Sequence, residues 1–407
     1  MKSNRPLRSQ NINVRHHSFL LQLSLAVSLL LPFTASVSYA EANIFSPAAP
    51  TYLFVTATDS NQVAAVDSAT QQVAQYIPVG SHPIRIAMSP NGLRAFVTNH
   101  SDNTVSMIDT QTLTEILPRI PVGTGPQELA FTPNGKRLYV VHSSDNRVFV
   151  INPSTGAVIK QITIPPTTGA AEAKDILASP DNNFVYVANY ANGSVDVITV
   201  AGNRVTSIPA AAGPRRLAMT PDGAYVLATD YLGDMVTVID TATNTFFKNI
   251  PVGHQPRGIA ITPDGTKTYV TNVNTLGTVS VIRNSDFTVT STISVGDTPW
   301  QVLVPPAPNS RYAYVSNTGS GIPSSSVSII DTTTDTVFKT LTSADGIGNG
   351  PFFSSVNPSH NKLFISNSRE TSGDSGGGTL DVINLRTQSL LAPITNIGSQ
   401  PFDLTFR

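Results

Sequence analysis

The chain has 407 residues, with 25 Lys and Arg against 26 Asp and Glu, and it contains no cysteine. A balance this close to neutral gives no general grip on a phosphate backbone, so nucleic acid is not an expected partner. Without cysteine, neither disulfides nor a cysteine-linked lipid can anchor or staple the protein in an oxidising compartment.

The N-terminus reads as a targeting segment. Lys2, Arg5, Arg8 and Arg15 precede an apolar run from Phe19 to Leu31, which Pro32 interrupts. Ser38-Tyr39-Ala40 then offers small residues at the −3 and −1 positions of a cleavage site, the layout of a secretory signal peptide. The apolar run is short for a membrane span, so no stable membrane insertion is expected after cleavage. Residues 1–40 are therefore assigned to a signal peptide, 41–50 to a short linker and 51–407 to one repeat-built body, periplasmic or secreted. Cleavage removes four basic residues and no acidic ones, leaving 21 (25 − 4) against 26, a net charge of −5.

From residue 51 one phrase recurs at intervals of roughly forty residues. A strand reading Tyr-Val-x-Asn appears first, at Phe54 to Ala57, then at Phe96 to Asn99, Tyr139 to His142, Tyr186 to Asn189 and Val226 to Thr229. It returns at Tyr269 to Asn272, Tyr314 to Asn317 and Phe364 to Asn367. A Val-x-Val-Ile-Asp strand follows each copy, from Val63–Asp67 to Leu380–Asn384, and a further strand leads into Ile-Pro-Val-Gly, as at Ile77–Gly80 and Ile250–Gly253. After the next Pro comes a strand with alternating apolar positions: Ile86 and Met88, Leu129 and Phe131, Leu217 and Met219, Ile259 and Ile261. It closes on Pro-Asn-Gly or Pro-Asp-Gly, dipeptides that take the positive φ of tight hairpins. No segment sustains a 3.6-residue period, so helix content is expected near zero.

Four antiparallel strands per unit, repeated, predict an all-β fold: a single β-propeller. The body begins with a second-type strand at Tyr52 and ends on Pro401-Phe-Asp-Leu-Thr-Phe406, a first-type strand lacking the rest of its unit. Paired, the termini would complete one blade and leave no free sheet edge. That gives eight four-stranded blades, with seven as the alternative if one copy is not a blade. The phrase Tyr-Val-Thr-Asn, Val-Ser-Val-Ile-Asp, Ile-Pro-Val-Gly, Pro-x-x-Ile-Ala-x-Thr-Pro-Asp-Gly resembles the YVTN family of β-propeller repeats over residues 51–407. The resemblance implies the fold and leaves activity open, since propellers of this group serve as surface-layer modules, periplasmic binding proteins, lactonase-like enzymes and non-catalytic parts of redox enzymes.

Turn lengths are constant at one end of the repeats. Extra residues collect at the other, at Gly321–Ser326, Glu370–Gly378, Ala344–Gly350 and Pro165–Lys174. Variable loops on a rigid scaffold favour binding, so this loop-rich end is the candidate functional face. His82, His100, His142, Tyr190, Asp230, Tyr231, His254, Trp300, Phe352 and Phe353 are expected to project there. At the channel mouth, the second position after each entering Pro, or its equivalent, reads Arg85, Glu128, Asp175, Arg216, Gly258, Gln301, Phe353 and Asp403. The family resemblance implies Gly at this position, and the chain departs from it in seven of eight blades.

Two functional readings follow. In the first, the loop-rich face binds an unknown small ligand or protein without chemistry, using Arg85, Glu128, Asp175, Arg216, Gln301, Trp300, Phe353, Asp403, His82, His100, His142 and His254. In the second, a lactonase-, lyase- or cyclase-like enzyme uses Glu128 or Asp175 as general acid or base while Arg85 and Arg216 hold an anionic substrate. A solvated rim of compensating Arg–carboxylate pairs is the plain structural account of the same residues. The histidines lack metal-ligand spacing, so no metal is expected. No haem or quinone attachment signal is present, so no cofactor is expected. Gly373-Asp-Ser-Gly-Gly377 spells a serine-nucleophile string without the setting that would activate it, and a glycine-rich loop explains it.

Overall fold

The computed structural model describes residues 51–165, 172–273, 276–319, 324–368 and 377–407. The signal-peptide and linker assignments, most of the Glu370–Gly378 loop and Ser375 lie outside the described residues. Thirty-two strands form eight four-stranded antiparallel sheets, and a 3₁₀ turn spans Ser343–Asp345. Eight blades, not seven, make the propeller.

The innermost strand of each blade is the one that follows the Pro: Pro83–Met88, Pro126–Phe131, Ala173–Ala178, Pro214–Met219, Pro256–Ile261, Pro299–Leu303, Pro351–Val356 and Pro401–Phe406. Each contacts the next, and Pro401–Phe406 contacts both Pro351–Val356 and Pro83–Met88, which closes the ring. That last strand pairs with Tyr52–Ala57, Val55 opposite Leu404, so one blade is built from both ends of the body. An edge that would template pairing with other chains is thereby consumed.

The blades are held by eight apolar clusters. Phe54, Val63 and Ile77 of one blade meet Ile86, Val97 and Ile108 of the next, and the closure interface joins Leu53 and Val55 to Phe353, Phe364 and Val382. Alternating residues on both faces of each central strand are buried, which is why these strands read as continuous apolar runs. The Gly of Ile-Pro-Val-Gly has a packing reason. A Cβ on Gly80 or Gly253 would lie 2.5 Å from the side-chain carboxamide carbon of Asn99 or Asn272.

The strand register fixes the two ends. Pro83 lies opposite Asn99, Asn99 opposite Thr104, and Thr104 opposite Pro121, so the loop after the Asn and the link to the next Pro share one end. Ala344–Gly350 lies at that end, as does the described part of the other long loops. At the opposite end, Asp67, Asp109 and Asp240 cap their own turns by accepting N–H bonds two and three residues on.

Candidate functional site at the channel mouth

Every inner strand carries a register shift near its start, between Pro83 and Arg85 and at the corresponding places in the other blades. Such a bulge re-aims one side chain. Here it turns the second residue after the Pro towards the axis. The displaced backbone N–H is satisfied locally: Arg85, Arg216, Gly258, Phe353 and Asp403 donate to the hydroxyls of Thr98, Thr229, Thr271, Ser366 and Thr56.

Arg85, Glu128, Asp175, Arg216, Gly258, Gln301, Phe353 and Asp403 accordingly converge, one from each blade, on a single cavity of about 270 Å³ that Leu217, Ile259 and Trp300 also line. The charges in it are mutually committed. Glu128 Oε2 accepts a hydrogen bond from Arg216 Nη1 at 3.0 Å and is ion-paired with Arg85, whose Nε lies 2.7 Å away without hydrogen-bonding geometry, and Arg216 reaches Asp175 Oδ1 at 3.5 Å. Arg85 also lies over the Phe353 ring, 4.1 Å from its centre. Three side chains bridge to the next blade: Asp175 Oδ2 accepts the Leu217 N–H (2.8 Å), Asp403 Oδ2 the Ile86 N–H (3.1 Å) and Gln301 Oε1 the Ser354 N–H (2.7 Å). Burial raises the pKa of Asp175 and of Asp403, and Arg216 and Arg85 respectively oppose the rise.

The histidines do not join this cavity. His82 occupies the left-handed turn before Pro83 (φ 57°), and its ring meets His100 edge to face at 5.9 Å. His100 is half-buried, bonds Ser143 Oγ at 3.2 Å, and has its pKa lowered by that burial. His254 is exposed beside Asp234. His142 does not project from the face at all. It is fully buried in the Asn position of its blade, accepting the Gly123 N–H at Nε2 and donating from Nδ1 to the Arg147 carbonyl, and burial lowers its pKa to about 4. Asp230 is likewise buried in the Asn position, where Thr237 Oγ1 donates to it (2.6 Å) and burial raises its pKa to about 7. Among the described residues no group of three or more His, Asp or Glu is placed to hold a metal ion.

At the position immediately after the Pro, Trp300 and Phe352 were expected at the face, but the cations of the same series were not. The position immediately after the Pro forms an outer tier above the cavity, and in three successive blades it stacks a cation on an aromatic ring: Lys174 on Tyr190, Arg215 on Tyr231 and Arg257 on Trp300. Trp300 continues into Phe352 and Phe402, with ring centres 4.4 Å and then 4.8 Å apart. A Lys-Arg-Arg-Trp-Phe-Phe series at one repeat position was the available signal.

A family model described as "Lactonase, 7-bladed beta-propeller" matches residues 108–246, well under half of the chain. No curated protein matches. Among solved structures, "Dihydro-heme d1 dehydrogenase NirN in complex with DHE" is similar at a TM-score of 0.71 and 14% identity, over 87% of this chain and 74% of that one. Hydrazine synthase of Kuenenia stuttgartiensis matches at 0.57 and 22% identity, over 74% of this chain and 95% of that one. A functionally unknown protein from Desulfotomaculum acetoxidans DSM 771 matches at 0.60 and 16% identity, over 87% and 98%. At these identities the likeness establishes a β-propeller and nothing about chemistry.

Proposed function

We propose that this is an exported, non-catalytic binding scaffold that takes a ligand at the loop-rich end of the propeller, around the channel mouth. One observation carries the reading: the cavity's carboxylates are already spoken for. A general acid or base must be free to exchange a proton with substrate. Glu128 is held between two guanidinium groups, while Asp175 and Asp403 tie neighbouring blades through backbone N–H groups. What remains is a rigid polar pocket with apolar walls, the form a small-ligand site takes. The repeats resemble those of YVTN propellers, a group that includes periplasmic binding proteins, and the N-terminal segment supports export.

The lactonase likeness favours a second reading, because the matched stretch contains Glu128, Asp175 and Arg216. Purified protein assayed for proton release from a panel of lactones decides between them. The scaffold reading expects no turnover above buffer, with ligands detected by a rise in melting temperature. Hydrolysis that Glu128→Gln abolishes in a folded protein would replace it with the enzyme.

A further inference from the structure

Arg257 is only 9% exposed, yet its guanidinium makes no hydrogen bond or ion pair with any described residue and rests on the face of the Trp300 ring. Arg215, at the equivalent position of the preceding blade, rests on Tyr231 and likewise makes no hydrogen bond or ion pair among the described residues, with Glu172 favouring its charge only from a distance. The contrast with their surroundings is specific. Lys174 is paired with Glu172, and Arg85 and Arg216 share Glu128. A desolvated cation without a counter-charge is costly, and a ring face returns only part of that cost. Burial and the neighbouring Arg215 and Arg216 all push the Arg257 pKa down. A guanidinium answers such pressure by recruiting an anion, since it does not give up its proton.

Resting on the binding-scaffold reading, we infer that Arg215 and Arg257 form a two-guanidinium site for the carboxylate of an organic acid, whose apolar body enters the channel mouth against Trp300, Leu217 and Ile259. Two planar forks from adjacent blades match the two oxygens of a carboxylate better than a point charge does. The apolar half of the site follows from the cavity wall two residues further along the same strands, which Leu217 and Ile259 line together with Trp300. A purely inorganic anion would leave that wall unused.

Calorimetry on the full folded protein tests this with three probes: 2-naphthoate, its neutral analogue 2-naphthamide, and inorganic phosphate. The inference expects 2-naphthoate to bind, and 2-naphthamide and phosphate each to bind at least about tenfold more weakly. Arg257→Ala and Arg215→Ala should each weaken 2-naphthoate about 10- to 100-fold, the range for a lost charge-assisted hydrogen bond. Arg257→Lys should recover part of the loss, and unfolding midpoints establish that each variant is folded. Equal binding of acid and amide overturns the anion site and leaves the pocket reading standing, as does undiminished 2-naphthoate binding by both alanine variants. Phosphate binding as tight as 2-naphthoate overturns the organic-acid half. No binding of 2-naphthoate at millimolar concentration overturns the inference outright, whereas lactone turnover bears only on the scaffold reading.

Discussion

Asp230→Asn should stabilise the protein, and by an amount that depends on pH in a calculable way. Five other blades hold an Asn here: Asn99, Asn272, Asn317 and Asn367 each donate Nδ2 to a Ser or Thr hydroxyl, and Asn189 donates to the Asp196 carboxylate. Asp230 has one side-chain hydrogen bond, from Thr237 Oγ1, its Oδ1 has no well-aligned partner among the described residues, and the nearby Ala211 and Thr237 backbone N–H groups only partly offset its burial. Thr237 Oγ1 also lies 2.8 Å from Asn249 Oδ1, and one hydroxyl hydrogen cannot serve both acceptors. An Asn amide would donate to Thr237 and release that hydrogen for Asn249. Desolvation raises the Asp230 pKa from 3.8 to about 7. The folded state therefore holds a proton that the unfolded chain has already released, and wild-type stability falls as pH rises from about 4 to about 7. Roughly three pKa units at about 1.4 kcal/mol each set a ceiling of about 4 kcal/mol. Urea unfolding of both proteins at pH 4, 5.5, 7 and 8 isolates this group, because every other titration is common to the pair. The variant's advantage should grow between pH 4 and 7 and then level off. A pH-independent difference, or a destabilised variant at pH 8, would refute the buried, poorly supported carboxyl.

His142 gives the opposite slope. Its pKa is depressed from 6.5 to about 4, so the unfolded chain takes a proton first and stability is lost as pH falls from about 6.5 to 4. His142→Asn should remove about 3 kcal/mol of that loss, read from the same unfolding series. Glu128→Gln leaves Arg85, 4% exposed, without its carboxylate and should lower stability by about 3–5 kcal/mol in urea. A loss under about 1 kcal/mol would mean the channel charges are fully solvated. Gly253→Ala, which drives a Cβ to 2.5 Å from the Asn272 side chain, should destabilise by about 1–3 kcal/mol. Gly202→Ala, with nothing nearer than 3.5 Å, is the matched control and should be close to neutral.

The blade architecture was legible because each strand announces itself by an apolar alternation and a turn residue, and because the incomplete first and last units fit together. The axial positions were legible for a related reason. Counting two residues from each Pro finds the side chain that the bulge turns inward, and Arg85 through Asp403 do line one cavity. Pairing was not legible. Glu128 and Arg216 lie 88 residues apart, and only the rotation between blades brings them to 3.0 Å. His142 and Asp230 were expected to project from the loop-rich face because polar side chains near a strand end suggest solvent. Their alignment with Asn99 and Asn272 within the repeat points instead to the buried bond that links strand, loop and glycine. Arg215 and Arg257 were passed over because they flank the axial position, and being unpaired is a property of surroundings that a linear chain does not display.

The most direct test of the account is a crystal structure of the protein with 6-bromo-2-naphthoate, using the anomalous signal of bromine to orient the molecule. The account predicts carboxylate density between the Arg215 and Arg257 guanidinium groups, with bromine towards the channel and the Arg85–Glu128–Arg216 cluster undisturbed. A carboxylate bound instead to Arg85 and Arg216, with Glu128 displaced, would contradict it.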